Sequence, residues 1–222
     1  MGNTNDVEYY IDGVNFKDYG VYVSASEGLV GQLAQKEALS VDYENYHGVS
    51  RCRRNVRYKE RTITLKCFIE TRSRRDFVDK VNQFFCLFDS RCSHRLKVEY
   101  DQDYKPLVYQ VDLSEASNVD KKWATTNDEM MVGTFTLKLI ENEPVKRVLR
   151  FYGTNVTMTL TSTLKLNIYW GDGSHTFDVD GSDTTVGHTY SRPGVYDIII
   201  TGVIEEIEGF DTNASIIWEL LK

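Results

Sequence analysis

The alternation of apolar and polar residues in three segments constrains the fold of this 222-residue chain more than any other feature. The segments are residues 61–70, 131–141 and 164–170. A period of two sends successive side chains to opposite faces of a β-strand, so each segment is predicted to be a half-buried strand. Composition agrees, because 12% aromatic residues, 14 Tyr and only 3 Pro are typical of β-rich proteins without long disordered segments. We therefore predict a mainly β fold.

One segment, residues 73–89, has helical periodicity instead. Its apolar residues recur at intervals of three and four, and they are Phe77, Val81, Phe84, Phe85 and Phe88. Ser73 is a suitable N-cap, with Asp76 three residues later in the place of the capping-box acid. A single apolar stripe is far more typical of a helix packed on a sheet than of a cofactor-binding segment. We predict one such helix, from Ser73 to Asp89.

The residue composition and the predicted strand lengths change after Pro144. Proline has no backbone N–H to donate a hydrogen bond to a continuing β-ladder. Residues 1–145 are predicted to form an α+β domain, a sandwich or barrel with the packed helix, in which residues 16–23 are a strand and residues 118–129 a loop. Residues 146–222 have short strands and turns rich in Thr, Gly and Asp, and are predicted to form a small β-sandwich. Its core is marginal by size, so docking onto the first domain or a partner should stabilise it.

The net charge of −7 is unevenly distributed. Residues 51–75 contain ten Lys or Arg and two Glu, a local balance of +8, so the rest of the chain sums to −15. The basic residues that we assign to an inter-subunit surface are Arg51, Arg53, Arg54, Arg57, Lys59 and Arg61. A basic segment on an acidic body can bind nucleic acid or the acidic face of an identical neighbour. Tyr58 is the one aromatic residue among them, too few for base stacking, so we favour the neighbour.

Metal and cofactor sites find little support in the sequence. Cys86, Cys92 and His94 lack the second close pair of ligands that structural zinc usually has. Asp172, Asp178, Asp180 and Asp183 do not have the spacing of a calcium-binding loop. The Gly171–Asp172–Gly173 turn leads into a strand, so no helix N-terminus follows it to bind a phosphate. We expect no metal, no cofactor, and reduced cysteines at all four positions, 52, 67, 86 and 92.

Catalysis finds equally little support. The four histidines, His47, His94, His175 and His188, lie near turns or strand ends, and none belongs to a local motif with a nucleophile. A catalytic triad can be assembled from distant residues, so a hydrolase stays open as a third alternative. The chain start has no signal-peptide pattern, and no apolar run approaches the roughly 18 residues that span a bilayer. We expect synthesis in the cytoplasm and no membrane insertion.

The first 145 residues resemble the N-terminal domain of phage distal tail proteins. The similarity lies in residues 16–23, 39–61, 62–69, the Phe-rich helix, 107–109 and 133–141, and in their order. This resemblance implies a virion protein that forms a ring, usually of six copies, between the tail tube and the baseplate or fibre-bearing hub. It implies the tail tube protein, the hub protein and the tape-measure protein as partners, and assembly in the bacterial host cytoplasm.

The C-terminal region resembles β-sandwiches of the polycystic-kidney-disease (PKD) type. The resemblance rests on three motifs, at residues 170–174 (WGDGS), 188–190 (HTY) and 193–196 (PGVY). It departs from the usual pattern in lacking one residue between the Trp and the Gly-Asp-Gly turn. The resemblance implies an immunoglobulin-like spacing or adhesion module on the outer side of the ring.

These observations leave a ranked set of functions. A structural, non-enzymatic component of a phage tail comes first. A host-surface or glycan-binding adhesin is the alternative, and Tyr169 is then a candidate ligand-facing aromatic residue, because its parity in the strand 164–170 points it outward. No sequence-specific nucleic-acid binding is expected.

Overall fold

The computed structural model describes residues 7–51, 56–89, 93–101, 104–123 and 130–222. The strands of the first part of the chain are β1 (Glu8–Ile11), β2 (Val14–Asn15), β3 (Val21–Glu27), β4 (Ser40–Asp42), β5 (Val49–Arg51), β6 (Arg61–Thr71), β7 (His94–Glu99), β8 (Leu107–Ala116), β9 (Asp120–Lys121) and β10 (Met131–Glu141). The second part contains β11 (Lys146–Tyr169), β12 (His175–Gly202), β13 (Ile207–Thr212) and β14 (Ser215–Leu221). The helices are α1 (Arg74–Cys86) and two short 3-10 helices, Phe16–Tyr19 and Ile204–Glu206.

The described part of the first region forms an antiparallel sheet in the order β2-β1-β7-β8-β10-β6-β3, with β9 paired to β10. At its centre β6 and β10 pair over their full length, from Arg61 opposite Glu141 to Thr71 opposite Met131. Both strands alternate between buried and more accessible residues, as the sequence predicts. The buried side chains, such as Ile63, Leu65 and Leu137, form the first hydrophobic core.

The predicted helix is confirmed, and its stripe faces this core. Ser73 caps α1 by accepting a hydrogen bond from the backbone N–H of Asp76 at 3.1 Å. Phe84 is fully buried, and its ring lies 5.0 Å from that of Phe16 and 5.7 Å from that of Phe135. The α-helix ends at Cys86, three residues before the predicted end.

Two predicted elements differ from the structure. Residues 16–19 form a 3-10 helix instead of a strand, because the side chain of Asn15 caps it by accepting from the N–H of Lys17. Gly20 ends this helix with φ of 69°, a left-handed conformation, and an added Cβ would lie 2.5 Å from the backbone oxygen of Glu70. Within the predicted loop 118–129, Asp120–Lys121 pairs with β10; residues 124–129 lie outside the described part.

The second region is a small sandwich dominated by two long, bent strands. β11 and β12 pair antiparallel in successive segments, with register shifts that include one at Gly153. The end of β11 then folds back, so that Ile168 pairs with both Thr176 and Ile200 of β12. β13 and β14 add to other segments of β11. The core between them contains Leu149, Met158, Ile168, Trp170 and Ile198, and the predicted mainly β fold with a C-terminal sandwich is confirmed.

The two regions share a third cluster at their junction. Val108 of the first sheet packs with Val148 and Ile199 of the second, and all three are fully buried. Trp218 borders this cluster, and its indole N–H donates to the carbonyl of Pro106 at 2.8 Å. The strands break between Glu141 and Lys146, around the predicted boundary, but the third cluster joins the two sheets. The division into residues 1–145 and 146–222 stays a prediction.

Candidate functional site

A hairpin arm leaves the first sheet between β3 and β6. We define the arm as residues 34–59, of which 52–55 lie outside the described part. At its base, Lys36 and Lys59 donate backbone hydrogen bonds to the carbonyls of Arg57 and Ala34, both at 2.8 Å. Further out, β4 and β5 pair only with each other, as a two-stranded sheet. Arg51, Arg57 and Lys59 of the predicted basic surface therefore lie on the returning half of the hairpin.

The arm has apolar side chains that no other described part of the chain covers. All described residues from Ala34 to Arg51 are exposed. The large apolar ones, with their exposed fractions, are Leu39 (76%), Val41 (40%), Tyr43 (56%), Tyr46 (78%) and Val49 (50%). Val56 (45%) adds to them on the returning half. Isolated two-stranded hairpins are at best marginally stable in water, so this arrangement favours a surface completed by another molecule.

The structure distributes the predicted basic residues unequally. Arg51 and Lys59 are exposed on the arm. Arg57 is half-buried and forms an ion pair at 3.2 Å with Glu206 of the second region. Arg53 and Arg54 lie outside the described residues. A pair with Glu206 ties the base of the arm to the second region, but an exposed ion pair of this kind is worth only about 0–1 kcal/mol.

Arg61 is a correction to the predicted inter-subunit surface. Its side chain is only 4% exposed, and its guanidinium donates to the backbone carbonyl of Leu29 at 2.7 Å. Its Nε lies 3.1 Å from a carboxylate oxygen of Glu141, which also contacts Lys146. Arg61 belongs to the core-facing side of β6 because it has the parity of Ile63 and Leu65. The residue is therefore unavailable to a neighbouring copy.

We did not predict the buried group of Arg61, Glu141 and Lys146 from the sequence. The alternation of buried positions along β6 and β10 nevertheless places Arg61 and Glu141 on the core-facing side. Glu141 falls on the core-facing side of β10, together with Leu137 and Leu139. Burial raises the pKa of Glu141, and the neighbouring Lys146 ammonium opposes that rise. Burial lowers the pKa of Lys146 to about 8, an effect that Glu141 partly offsets. This group lies where the chain passes from the first sheet to the second.

Tyr169 borders a cleft between the two regions. It is half-buried, and its hydroxyl donates to Glu143 at 3.1 Å. Its ring meets the edge of Phe177 at 5.6 Å, and Phe177 in turn stacks on His175 with centroids 4.1 Å apart. Its role as a ligand-facing aromatic residue stays a prediction.

The exposure of Phe177 could not be predicted from alternation. Phe177 and Val179 have the same parity, yet Phe177 is 48% exposed and Val179 is buried. Asp178 between them has φ of 59°, a left-handed conformation that interrupts the alternation. No local residue pattern marks this irregularity, which places an aromatic ring at the mouth of the cleft.

The three motifs at residues 170–174, 188–190 and 193–196 meet in space. The ring of Trp170 stacks on His188 with centroids 5.1 Å apart, and the carbonyl of Trp170 accepts from the hydroxyl of Tyr190 at 2.8 Å. Tyr190 also stacks on Tyr196, with centroids 3.6 Å apart and the rings within 5° of parallel. The motif residues therefore lock the turns of the second region together.

Asp172, Ser174 and His188 form the combination of residue types found in hydrolytic triads. His188 Nε2 lies 2.8 Å from Asp172 Oδ2 and 3.2 Å from the Ser174 hydroxyl, which also bonds to Asp172. A relay needs the serine and the carboxylate on opposite nitrogens of the imidazole, whereas here they share one. Burial acts to raise the pKa of Asp172, but hydrogen bonds from Ser174 and His188 hold it below its usual value. The arrangement stabilises a turn.

Within the described residues, no group of three or more His, Cys, Asp or Glu side chains is placed to hold a metal ion. Cys67 is a buried free thiol and Cys86 an exposed one. Burial raises the pKa of Cys67 to about 12, so it stays protonated. Cys52 and Cys92, and with them the candidate zinc ligands, lie outside the described part.

No helix in the described ranges is both long and apolar enough to cross a bilayer.

Comparisons with known proteins found similarity only among solved structures. No family model and no curated protein matches the chain. The Dit protein of phage SPP1, described as a paradigm of the hub adsorption apparatus in phages that infect Gram-positive bacteria, is similar with a TM-score of 0.49 and 9% identity, over 88% of this chain and 98% of that one. A chain of the phage p2 baseplate in its activated conformation is similar with a TM-score of 0.43 and 7% identity, over 94% of this chain and 97% of that one.

Proposed function

We propose that this chain is a structural protein of the tail tip of a long-tailed phage, in which the arm of each copy packs on the next copy and closes a ring. The observation that carries the proposal is the uncovered arm, residues 34–59, with its exposed apolar side chains on a two-stranded hairpin. A monomer keeps these side chains in water. A neighbouring copy would remove them from it, at roughly 25 cal/mol per Å² of apolar surface.

Charge supports a head-to-tail contact instead of a symmetric one. The arm, residues 34–59, contains six Lys or Arg and three Asp or Glu, a balance of +3, and the rest of the chain sums to −10. Two copies of the arm would repel each other in a symmetric dimer, whereas the arm of one copy and an acidic face of the next attract. A contact between two different surfaces repeats, and it forms a closed ring when the rotation per copy divides a full turn. Apolar contacts would hold the ring and charge would select the register.

The partners follow from the resemblance to distal tail proteins. A ring of six copies would join the tail tube to the fibre-bearing hub, around a channel that admits the tape-measure protein and DNA. The second region would lie on the outer side as a PKD-like module. The role is structural and not enzymatic, and the shared nitrogen of His188 in the Asp172–Ser174–His188 group supports this part of the proposal.

Light scattering on the purified full chain tests the proposal. The wild type should assemble into a ring with a mass of several copies of the 25.6-kDa chain. Val41→Glu combined with Val49→Glu should lower the mass towards that of one chain, because two charges would be buried at the contact. The control is Val30→Glu, at a position 73% exposed and outside the arm, which should assemble like the wild type.

Charge reversal provides a second, weaker perturbation. Replacing Arg53, Arg54 and Arg57 by Glu should also lower the oligomer mass, most clearly at low salt where screening is least. Circular dichroism should show that all these variants keep their β structure. A wild type that stays monomeric at high concentration, or an arm variant that assembles like the control, would show the proposal to be wrong.

A further inference from the structure

The cleft between the two regions has the size of a ligand site. It encloses about 700 Å³, within the range of about 300–1,000 Å³ that is usual for small-molecule pockets. One wall comes from the first sheet and carries Asp12 and Asp112, while the other comes from the second region and carries Tyr169, His175 and Phe177. The cleft is distinct from the arm, so it is independent of the contact proposed for the ring.

The wall of the second region presents a flat aromatic surface. Phe177 is 48% exposed and His175 is exposed, and their rings stack with an interplanar angle of 24°. Tyr169 supports Phe177 from the side at 73°. Glu143 holds Tyr169 in place and also accepts from the Thr201 hydroxyl. An aromatic surface held by buried contacts and left open to solvent can pack against an apolar face of a ligand.

The opposite wall offers hydrogen-bond acceptors. Asn142 Nδ2 donates to Asp112 Oδ2 at 2.6 Å, which fixes the direction of that carboxylate. A carboxylate has about four acceptor positions on two oxygens, so this single bond leaves Asp112 able to accept from a ligand. The side-chain carbonyl of Asn142 is a further acceptor on the same wall.

The charges of the cleft select the class of ligand. Asp12, Asp112, Glu143 and Asp172 all line it. Arg95 is the one cationic Lys or Arg side chain among the lining residues, and its guanidinium is committed to Gln110 and to the carbonyls of Asp197 and Tyr169. Carboxylates without a free cation repel phosphate and sulfate groups, and they attract hydroxyl or ammonium donors.

We propose that this cleft binds a neutral or amino-substituted sugar unit of a glycan, with the C–H face of the sugar ring on Phe177 and His175 and its hydroxyl or ammonium groups donating to Asp112. A pyranose ring has the matching combination of an apolar face and a rim of hydroxyl donors. The inference goes beyond the proposed structural role. Assembly into a ring would place several clefts on one particle, so that weak single sites could act together.

Binding of the full chain to immobilised oligosaccharides tests the proposal. The probes are glycans of neutral hexoses, of N-acetylhexosamines and of amino hexoses, with sulfated and phosphate-containing glycans beside them. The wild type should bind at least one neutral or amino glycan and none of the anionic ones. Phe177→Ala should weaken that binding by about tenfold or more, the change that 1.4 kcal/mol produces.

The matched control is Tyr152→Ala, which removes a 65% exposed aromatic ring of the second region that does not line the cleft. It should bind like the wild type. Asp112→Asn keeps the shape and removes the charge, so it should weaken binding of an amino hexose more than that of a neutral hexose. Circular dichroism of each variant, and the oligomer mass, separate this test from that of the ring.

Three results would overturn the proposal. They are an absence of neutral or amino glycan binding at about 1 mM, equal losses in Phe177→Ala and Tyr152→Ala, and preferential binding of anionic glycans. A lysine-rich peptide added as a soluble competitor distinguishes another occupant. If that peptide binds the cleft and no glycan does, the site receives a basic protein segment and the saccharide proposal is wrong.

Discussion

The two regions of the chain stabilise their β-sheets by different means. In the first, α1 lies on the sheet, and a group of aromatic rings centred on Phe84 fills the space between them. The second region, residues 146–222, is described completely and contains no α-helix. There, Trp170, His188 and Tyr190 join strand ends by stacking and by a hydrogen bond to the backbone.

The difference shows which forces each region depends on. The first core is stabilised mainly by the packing of buried apolar side chains. Its stability should therefore respond most to substitutions that remove buried carbon atoms. The second region also has an apolar core, but oriented polar contacts join its strand ends, and such contacts cost much to remove when a buried partner is left without a hydrogen bond. Between them, the buried Arg61–Glu141–Lys146 group adds a charge-dependent element at the junction.

The largest effect is expected from Phe84→Ala. Removal of this fully buried ring should lower the free energy of unfolding by about 3–5 kcal/mol, measured by urea denaturation. Phe85→Ala should cost less, because Phe85 is only partly buried. Val78→Ala, at a position of α1 that is 55% exposed, is the control and should change little. A loss below about 1 kcal/mol for Phe84→Ala would mean that the helix does not support the first core.

Much of the first region could be predicted from the sequence because its strands and helix follow regular periods. Parity in β6 and β10 gives the buried faces, and the Phe stripe gives the helix. The same parity places Arg61 in the core, although its neighbours in the basic segment suggest a surface. Charge composition over a window cannot distinguish a solvated Arg from one paired with Glu141, since the pairing is set by a strand 80 residues later.

The candidate cleft was much less predictable. Tyr169 could be identified as outward-facing, but the exposure of Phe177 depends on the left-handed conformation of Asp178, and His175 adds to the surface by stacking on Phe177. The opposite wall comes from β8 and the segment after β10. Such a site forms only where two sheets pack together, and neither sheet contains a sequence motif that predicts the cleft.

The junction should respond to pH through Lys146. Burial lowers the pKa of this residue from 10.5 to about 8 in the folded chain. Between about pH 8 and 10.5 the unfolded chain keeps the proton that the folded chain has released, so this group makes stability rise with pH in that window. The variant Lys146→Met has no titratable group at this position and serves as the reference. The unfolding free energy of the wild type minus that of the variant should therefore increase from pH 8 to 10.5, by up to roughly 3 kcal/mol.

Cys67 and the buried tyrosines titrate in both proteins, so their contributions largely cancel in this difference. Lys165→Met is the control, since Lys165 is 64% exposed and pairs with Asp178 at the surface. Its difference from the wild type should stay nearly constant with pH. A flat difference for Lys146→Met as well would show that folding does not lower the pKa of Lys146, and the predicted pH dependence of the junction would be wrong.

The smallest effect is expected in the second region, from Tyr190→Phe. The Tyr190 hydroxyl donates to the carbonyl of Trp170, and the tyrosine is only 2% exposed. The variant keeps the ring, so the stacking on Tyr196 persists while a buried carbonyl loses its donor. This should cost about 1–2 kcal/mol. Tyr196→Phe provides a matched control, because its ring belongs to the same stack but its hydroxyl donates to the Arg192 carbonyl at the surface, where water can replace it. If the two variants lose the same stability, the hydrogen bond to Trp170 adds nothing specific, and the second region is held by apolar packing in the same way as the first.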